Sequence, residues 1–391
     1  MLKELNERTV FTAIRSGHPI SRAEISRRVG ISKPTVSLAL RTLLDAGLVR
    51  ETSPGLLEPT YGAVFFEPVP EAGYVLAFDI GARFLRCTLA ALDGRVRARE
   101  DVDTAGADAS RIVAAAAACG QRLLAAGGTT GQAEIAVVGA PGVVDPTTGR
   151  VWQVGSVPGL EGFDLVGEFG RALGTRVIVD NDVNLAALGE QWKGVGRGVA
   201  DFAFLSVGTG VGAGLVLRGE PHRGHAGAAG EVDNAFDGAW PPPERANRPR
   251  PAADPCAPAL LEHARARLAE RTAVTSLAEP LTPERVFAAA RAGDALAEEI
   301  VAEEARRIAR YAGVLASVLD VELVVLGGGV GCNGDLLLEP VRAALAERVP
   351  YPPRLAVSAL GADCVLTGAL AVGTREALDQ VLARTLARRA G

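Results

Sequence analysis

One arrangement, used twice, constrains the fold of this chain more than any other feature. Residues 74–81, YVLAFDIG, are an apolar run ending on Asp, Ile and Gly. FLRCTLAALDG (84–94) follows at hairpin distance, and VRAREDVDT (96–104) supplies a third run. Residues 202–220, FAFLSVGTGVGAGLVLRGE, repeat the device as two strands about a glycine-rich turn. The first set leads to a helical segment, RIVAAAAACGQRLLAAG (111–127), and then to the buried strand EIAVVGAPGVV (134–144). The second leads to long helices and then to VELVVLGGGV (321–330). Two lobes, each opening strand, Gly turn, strand, predict a duplicated α/β fold with a cleft between its halves.

A chain of 391 residues is too long for one ordinary core, so more than one domain is expected. Its 48% hydrophobic and 22% charged residues are the composition of a globular chain and not of a disordered one. No apolar run reaches the length of a membrane span, and the start, MLKELNERTV, is too polar for a signal peptide. A cytoplasmic protein without membrane contact is therefore expected. Cys87, Cys119, Cys256, Cys332 and Cys364 are scattered, with no CxxC pair. That suits free thiols in a reducing compartment and predicts neither a disulfide framework nor a cysteine zinc site.

Charge is unevenly spread. Residues 1–50 carry nine Lys/Arg against four acids, a net +5, which leaves −10 for the remainder of a chain whose total is −5. A small basic head on an acidic body fits a nucleic-acid reader with a separate second function, although a solvated basic helix face gives the same count.

Within the head, Leu2 to about Ser16 reads as a helix with Leu5, Val10 and Ile14 as its apolar side, broken by Gly17-His18-Pro19. Ser21 is placed to cap a second helix, with Glu24 at capping-box spacing and Ala23, Ile25 and Val29 inward. That helix stops at Gly30. Ser32 then caps a third helix, KPTVSLALRTLLDAG, which turns Val36, Leu40, Leu43 and Leu44 inward and Lys33, Thr35, Ser37 and Arg41 outward. Helix, short Gly turn and helix with small polar and basic residues at its start is the helix-turn-helix pattern. LVRET and GAVFFEP are expected to be the two strands of a wing, with SPGLLEPTY at its tip. Leu56, Leu57 and Glu58 make that tip a poor minor-groove reader.

In the body, glycine-rich strand turns let backbone N–H groups approach phosphate oxygens. RVIVDNDVNLAALGE (176–190) is a strand ending in acids and then a helix, which places Asn181 and Asp182 at a strand's C-terminal end, facing the cleft. Helix capping by Asp180, Asn181 or Asp182 is the competing reading.

The segment SRAEISRRVGISKPTVSLALRTLLDAGLVRE (21–51) resembles, nearly position by position, the DNA-binding domain of ROK-type repressors. Asp79-Ile80-Gly81, Ala140-Pro141-Gly142, Asn181-Asp182, Gly208 to Gly214, Ala229-Gly230-Glu231 and Gly327-Gly328-Gly329 resemble the successive signatures of the ROK family over roughly 74–375. The resemblance implies a winged helix-turn-helix (residues 1–70) followed by a two-lobed actin-like (ribonuclease H-like) ATPase fold (71–391). In the family's sugar kinases the Asp of the Asn-Asp pair is the general base and the Asn contacts the sugar. Those roles fall on Asp182 and Asn181, with Glu231 and Glu262 as further sugar contacts. Asp79, Gly81, Gly208, Thr209, Gly210 and Gly328 would hold a nucleotide, if one binds.

Three departures follow. The enzymes' Asp-x-Gly-Gly-Thr is here Asp79-Ile80-Gly81-Ala82-Arg83, and Arg83 either binds a phosphate or fills the nucleotide's place. The Gly-Glu-x-x-His motif, whose His ligates a structural zinc in relatives, ends on Asn234, a poor zinc ligand. The zinc loop is replaced by a Pro-rich stretch with one cysteine, Cys256; neither His222, His225 nor His263 restores a ligand spacing, and an extended or mobile loop over 235–258 is expected. No cofactor and no metal are predicted. The expectation is a homodimeric or tetrameric regulator, a repressor of carbohydrate-related genes, that binds an operator and a sugar-derived effector. Its rival is an ATP-dependent sugar kinase carrying a DNA-binding head.

Overall fold

The computed structural model describes residues 2–53, 64–129, 131–152, 157–235, 254–270 and 274–390. The wing tip with Leu56, Leu57 and Glu58, and most of the Pro-rich stretch, lie outside the described residues.

The head comprises α1 (Leu2–Gly17), β1 (Ile20–Ser21), α2 (Arg22–Val29), α3 (Lys33–Asp45), β2 (Val49–Thr52) and β3 (Phe65–Pro68). Its three short strands pair antiparallel in the order β1-β3-β2, so the wing strands form as expected. Val10, Phe11 and Ile14 of α1 meet Ile25 of α2 and Val36, Leu40 and Leu43 of α3, all at most 3% exposed. Leu5 instead stands 56% exposed. Five residues along a helix rotate about 140°, which carries Leu5 off the Val10 face, and Phe11 takes its place in the core. Ala23 is likewise exposed, two residues and therefore about 200° from buried Ile25. Val29 and Leu44 are half-buried.

Ser21 caps α2 by accepting from the Glu24 N–H. The Glu24 carboxylate does not complete the reciprocal half of a capping box; it pairs with Arg27 and Arg28. Gly30 ends the helix at φ +66°, a left-handed conformation that a Cβ would strain.

The first lobe contains β4 (Tyr74–Ile80), β5 (Phe84–Ala91), β6 (Val96–Asp103), α4 (Ala109–Ala126), β7 (Ile135–Ala140), the small ribbon β8 (Val143–Val144) and β9 (Val151–Trp152), α5 (Leu165–Leu173) and β10 (Arg176–Asn181). Then α6 (Asp182–Lys193) crosses to the second lobe. That lobe contains β11 (Phe202–Val207), β12 (Val211–Leu217), β13 (Glu220–Pro221), α7 (Ala257–Glu270), α8 (Pro283–Arg291), α9 (Ala295–Leu319), β14 (Leu323–Gly327), the single turn α10 (Gly328–Gly331), α11 (Gly334–Ala346) and β15 (Arg354–Val357). The final helix, α12 (Cys364–Ala390), returns to the first lobe and packs on α6, β4 and β7.

The two large sheets have orders β10-β7-β4-β5-β6 and β13-β12-β11-β14-β15. In each, the opening strand pairs antiparallel with the next and parallel with the later one: β4 with β5 and β7, β11 with β12 and β14. The duplication read from the sequence is therefore present strand for strand. Parallel pairing aligns the C-terminal ends of β4, β7 and β10, with Asp79 opposite Gly139 and Asn181 opposite Ala140. At this edge of the sheet an open α/β fold binds its ligands.

The head and the first lobe share one apolar cluster, which runs from Val10, Phe11 and Ile14 through Val75 and Val137 to Leu378 and Leu382 of α12. Arg8 Nη2 lies 2.5 Å from Asp379 Oδ2, and Arg15 Nη1 donates to Thr374 Oγ1 at 3.1 Å. No helix among the described residues is long and apolar enough to cross a membrane.

Candidate functional site

Two separate groups of residues emerge. On the head, Ser32 adopts an extended conformation and caps α3, accepting from the Thr35 N–H at 3.4 Å while its hydroxyl meets that of Thr35 at 2.8 Å. Ser37 Oγ donates to the Lys33 carbonyl and accepts from Arg22 Nη1 at 3.2 Å. Lys33 and Arg41 are exposed and make no ion pair among the described residues, whereas Arg27, Arg28 and Arg50 are held by Glu24 and Glu67. A free cation at the start of α3, Lys33, beside the unsatisfied N–H groups there, and a second, Arg41, about two turns further along are what a phosphate backbone needs. Leu38 is 56% exposed on the same helix, a position that sequence periodicity passed over. An exposed Leu between Ser37 and Arg41 is the signal that marks it, since an apolar side chain there can read a thymine methyl.

The second group lies at the C-terminal edge of the first-lobe sheet. Asn181 ends β10 and caps α6, its Oδ1 accepting from the Asn184 N–H at 2.9 Å, while its Nδ2 donates to the Gly142 carbonyl at 2.9 Å. The capping reading is thus realised by Asn181 itself. Asp182 opens α6, and burial together with the charges of Asp79 and Glu231 pushes its carboxyl up to about 7. Glu231 is also pushed up to about 7, by burial and by Asp233. Gly230 puts Glu231 there: at φ +96° it lies so near the Ala213 carbonyl oxygen that a Cβ would stand 1.8 Å from it. The Glu231 charge accordingly acts on the Asp182 carboxyl across the edge of the sheet.

Asp79 is buried beneath them. Burial raises its carboxyl, and Arg86 opposes the rise with an Nη1–Oδ2 hydrogen bond of 2.9 Å. Arg83 does not fill this place. It reaches Asp103 at 3.4 Å and lies over the Phe84 ring, out toward solvent. Register explains the difference: Arg83 lies in the turn before β5, whereas Arg86 pairs across the ladder with Asp79 itself. In this second group, Arg86 and Arg223 are the residues that sequence reasoning missed. Arg223 holds Asp180, one residue before Asn181, through Nε and Nη2.

The turn joining β11 to β12 carries Gly208, Thr209 and Gly210, closed by a Gly208 N–H to Gly210 carbonyl bond of 2.9 Å. It abuts the turn after β14, where Gly328 has φ +79° and a Cβ would stand 2.4 Å from the Val207 carbonyl oxygen. The structure brings these two glycine turns together. In the turn between β4 and β5, the Gly81 N–H donates to the Phe84 carbonyl at 3.0 Å. Glu262 is not drawn into the acidic group. It is exposed on α7, and the charge acting on Glu231 is that of Asp233.

The zinc implied by the resemblance finds no ligand set. Cys256 is fully buried in the second-lobe core, its N–H bonded to Asp254, and no three His, Cys, Asp or Glu residues gather for a metal among the described residues. Residues 236–253 contribute no Cys or His to such a set. His222 and His225 are exposed on the loop before Gly230. Where the Pro-rich stretch ends, Asp254, Pro255 and Cys256 are buried, and the Ala257 N–H bonds the Gly208 carbonyl at 2.7 Å. This end of the expected mobile loop is therefore anchored.

Comparison with known proteins agrees with this geometry. A family model described as "ROK family" matches residues 75–374, and a helix-turn-helix domain model matches 8–52. A xylose repressor of Caldicellulosiruptor bescii is 25% identical over 390 residues, covering 95% of this chain and 96% of that one. A glucokinase of Halalkalibacterium halodurans is 33% identical over 248 residues, covering 59% of this chain and 73% of the enzyme. Among solved structures, a ROK family transcriptional regulator homologous to the Escherichia coli MLC protein superposes with a TM-score of 0.81 at 23% identity, over 98% of both chains. A fold with a helix-turn-helix head, a body of two sheets in the same order and the family's signature turns at the sheet edges leads to one assignment: the chain belongs to the ROK family.

Proposed function

We propose that this protein is a DNA-binding transcriptional regulator, a repressor of carbohydrate-related genes, whose kinase-like body senses a sugar or sugar-derived effector. The observation that carries this reading is the pair of exposed cations, Lys33 and Arg41, without ion-pair partners among the described residues, on a capped helix of a head built into the body's core. Helix α3 enters the major groove, with Ser32, Lys33, Thr35, Ser37 and Arg41 reaching phosphates and base edges and Leu38 a thymine methyl. Two heads of a dimer would read half-sites about 34–36 Å apart, or a multiple of that spacing. In the body, Asp182 and Glu231 accept hydrogen bonds from sugar hydroxyls beside Asn181. The chain holds no structural zinc and works without a cofactor.

A second reading, sugar phosphorylation, is favoured by one observation. A carboxyl near 7 is in the range that a general base needs, and Asp182 has it. ADP release from ATP with D-glucose or D-xylose, abolished by Asp182→Asn, would establish it; no turnover over a wide sugar panel removes it. The first reading is tested by selecting a duplex from a random pool and measuring its affinity with and without sugar. Binding that survives Lys33→Glu with Arg41→Glu overturns the assignment of α3.

A further inference from the structure

Helix α6 touches three parts of the molecule in turn. Its first residue, Asp182, belongs to the acidic group at the sheet edge, and its first turn also touches the second lobe. A Cβ on Gly214 of β12 would stand 2.3 Å from the Val183 carbonyl oxygen, so that strand lies directly on the helix. Along its middle, α6 crosses α12 with backbones in contact. A Cβ on Gly189 would be 2.3 Å from the Cys364 carbonyl oxygen, and one on Gly368 would be 1.7 Å from that of Leu185. Such a crossing leaves little freedom for the helix to bend or slide independently of α12.

Its last turn reaches the head. The Arg15 guanidinium of α1 stands 5.6 Å from the centre of the Trp192 ring, and Lys193 Nζ stands 4.0 Å from it. The same ring presses on the β5–β6 turn, where a Cβ on Gly94 would be 2.9 Å from the ring, and Lys193 donates to the Gly94 carbonyl at 3.3 Å. Arg15 is bonded to Thr374 of α12, so it sits between the two helices that cross at Gly189 and Gly368. On the other side, α1 supplies Val10, Phe11 and Ile14 to the core of α3. A 12-residue helix spans about 17 Å, and over that length no loop interrupts the path from Asp182 to Arg15.

We propose that α6 is a strut which transmits occupancy of the Asp182–Glu231 cleft to the DNA-reading head, and that the Arg15–Trp192 stack is its coupling contact. A ligand that draws the second lobe toward Asp182 pushes through Val183 on the start of the helix. The far end then moves the ring on which Arg15 rests, and α1 carries α3 with it. Trp192 lies at the end of α6 away from Asp182 and is not part of α3, so it is a positioning residue. The proposal rests on the sensor reading of the cleft, and the experiment separates the two.

The full chain is measured against a duplex that it has selected from a random-sequence pool, with D-xylose and D-glucose as probes. In the wild type, whichever sugar raises the unfolding temperature changes duplex affinity by about fivefold or more. Trp192→Leu keeps the sugar-induced thermal shift and, without sugar, an affinity within about twofold of wild type, yet its affinity no longer answers to sugar. Trp192→Phe, which keeps a ring for the guanidinium, restores the response. Should Trp192→Leu not fold, Arg15→Gln breaks the same contact and leaves the ring in place. A Trp192→Leu or Arg15→Gln chain that responds as the wild type does overturns the strut.

If neither sugar stabilises the wild type, the sensor reading falls, and coupling is read from a cycle without ligand. Asp182→Asn and Trp192→Leu are then combined and duplex affinity is measured. Effects that depart from additivity by more than about threefold support transmission along α6, and additive effects overturn it.

Discussion

Arg223 grips Asp180 with two nitrogens on one oxygen, Nε at 3.0 Å and Nη2 at 2.5 Å from Oδ2, and so ties the loop leading to Glu231 to the strand that presents Asn181. The Asp180 side chain is 8% exposed and that of Arg223 is 37% exposed. Removing the arginine leaves a buried carboxylate without its partner, the costly way to break such a pair. Because the guanidinium is partly in water, Arg223→Ala is expected to cost about 2 kcal/mol, below the range for fully buried pairs. Adding Asp180→Asn should recover part of the loss. Urea unfolding of the two variants checks this.

The acidic group makes stability depend on pH in a defined sense. The carboxyls of Asp182 and Glu231 rise from 3.8 and 4.5 to about 7 on folding. Between those values the folded chain binds more protons than the unfolded one, so their contribution is full below about pH 4 and is lost as pH climbs through about 7. Asp182→Asn cannot lose a proton and should flatten the decline between about pH 5 and 7.5, as read from urea midpoints. An unchanged slope would show that Asp182 is not held protonated.

Much of this arrangement was legible in the sequence, and the limits of that reading have physical causes. The repeat of strand, glycine turn and strand revealed the two sheets because glycine and apolar residues answer to local backbone rules. Helix caps at Ser21 and Ser32 were legible for the same reason. Arg86 and Arg223 were not, since their partners Asp79 and Asp180 are brought to them by ladder register and by a loop from the other lobe. Periodicity also misplaced Leu5 and Ala23, where a rotation of the helix by one position decides which small apolar residue meets the core. Glu262 was assigned across the Pro-rich stretch, where no spacing fixes the register.

Within the head, the core and the surface of α1 should separate cleanly. Phe11 is 1% exposed, and Phe11→Ala is expected to destabilise the head by about 3–5 kcal/mol. Leu5→Ala, at a 56% exposed position, should change stability by less than about 0.5 kcal/mol. Hydrogen exchange of α1 and α3 amides distinguishes the two.

On the DNA side, Lys33→Ala and Arg41→Ala should weaken binding to all duplexes and lower the salt dependence by about one ion for each phosphate no longer neutralised. Leu38→Ala should leave the salt slope unchanged and relax preference at a single base pair. Selection from a random pool before and after the substitution reads this directly.

The apolar cluster that runs from Val10 through Val137 to Leu382 has a consequence for how the gene regulator can be dissected. Head and sensor are not beads on a string, because α1 and α12 belong to that one cluster and are tied by Arg8 to Asp379 and by Arg15 to Thr374. Expressed alone, the first seventy residues would bare the greasy flank that α12 covers, and a body cut before α12 would bare β4 and β7. Swapping heads between such regulators therefore requires that the last helix travel with the first.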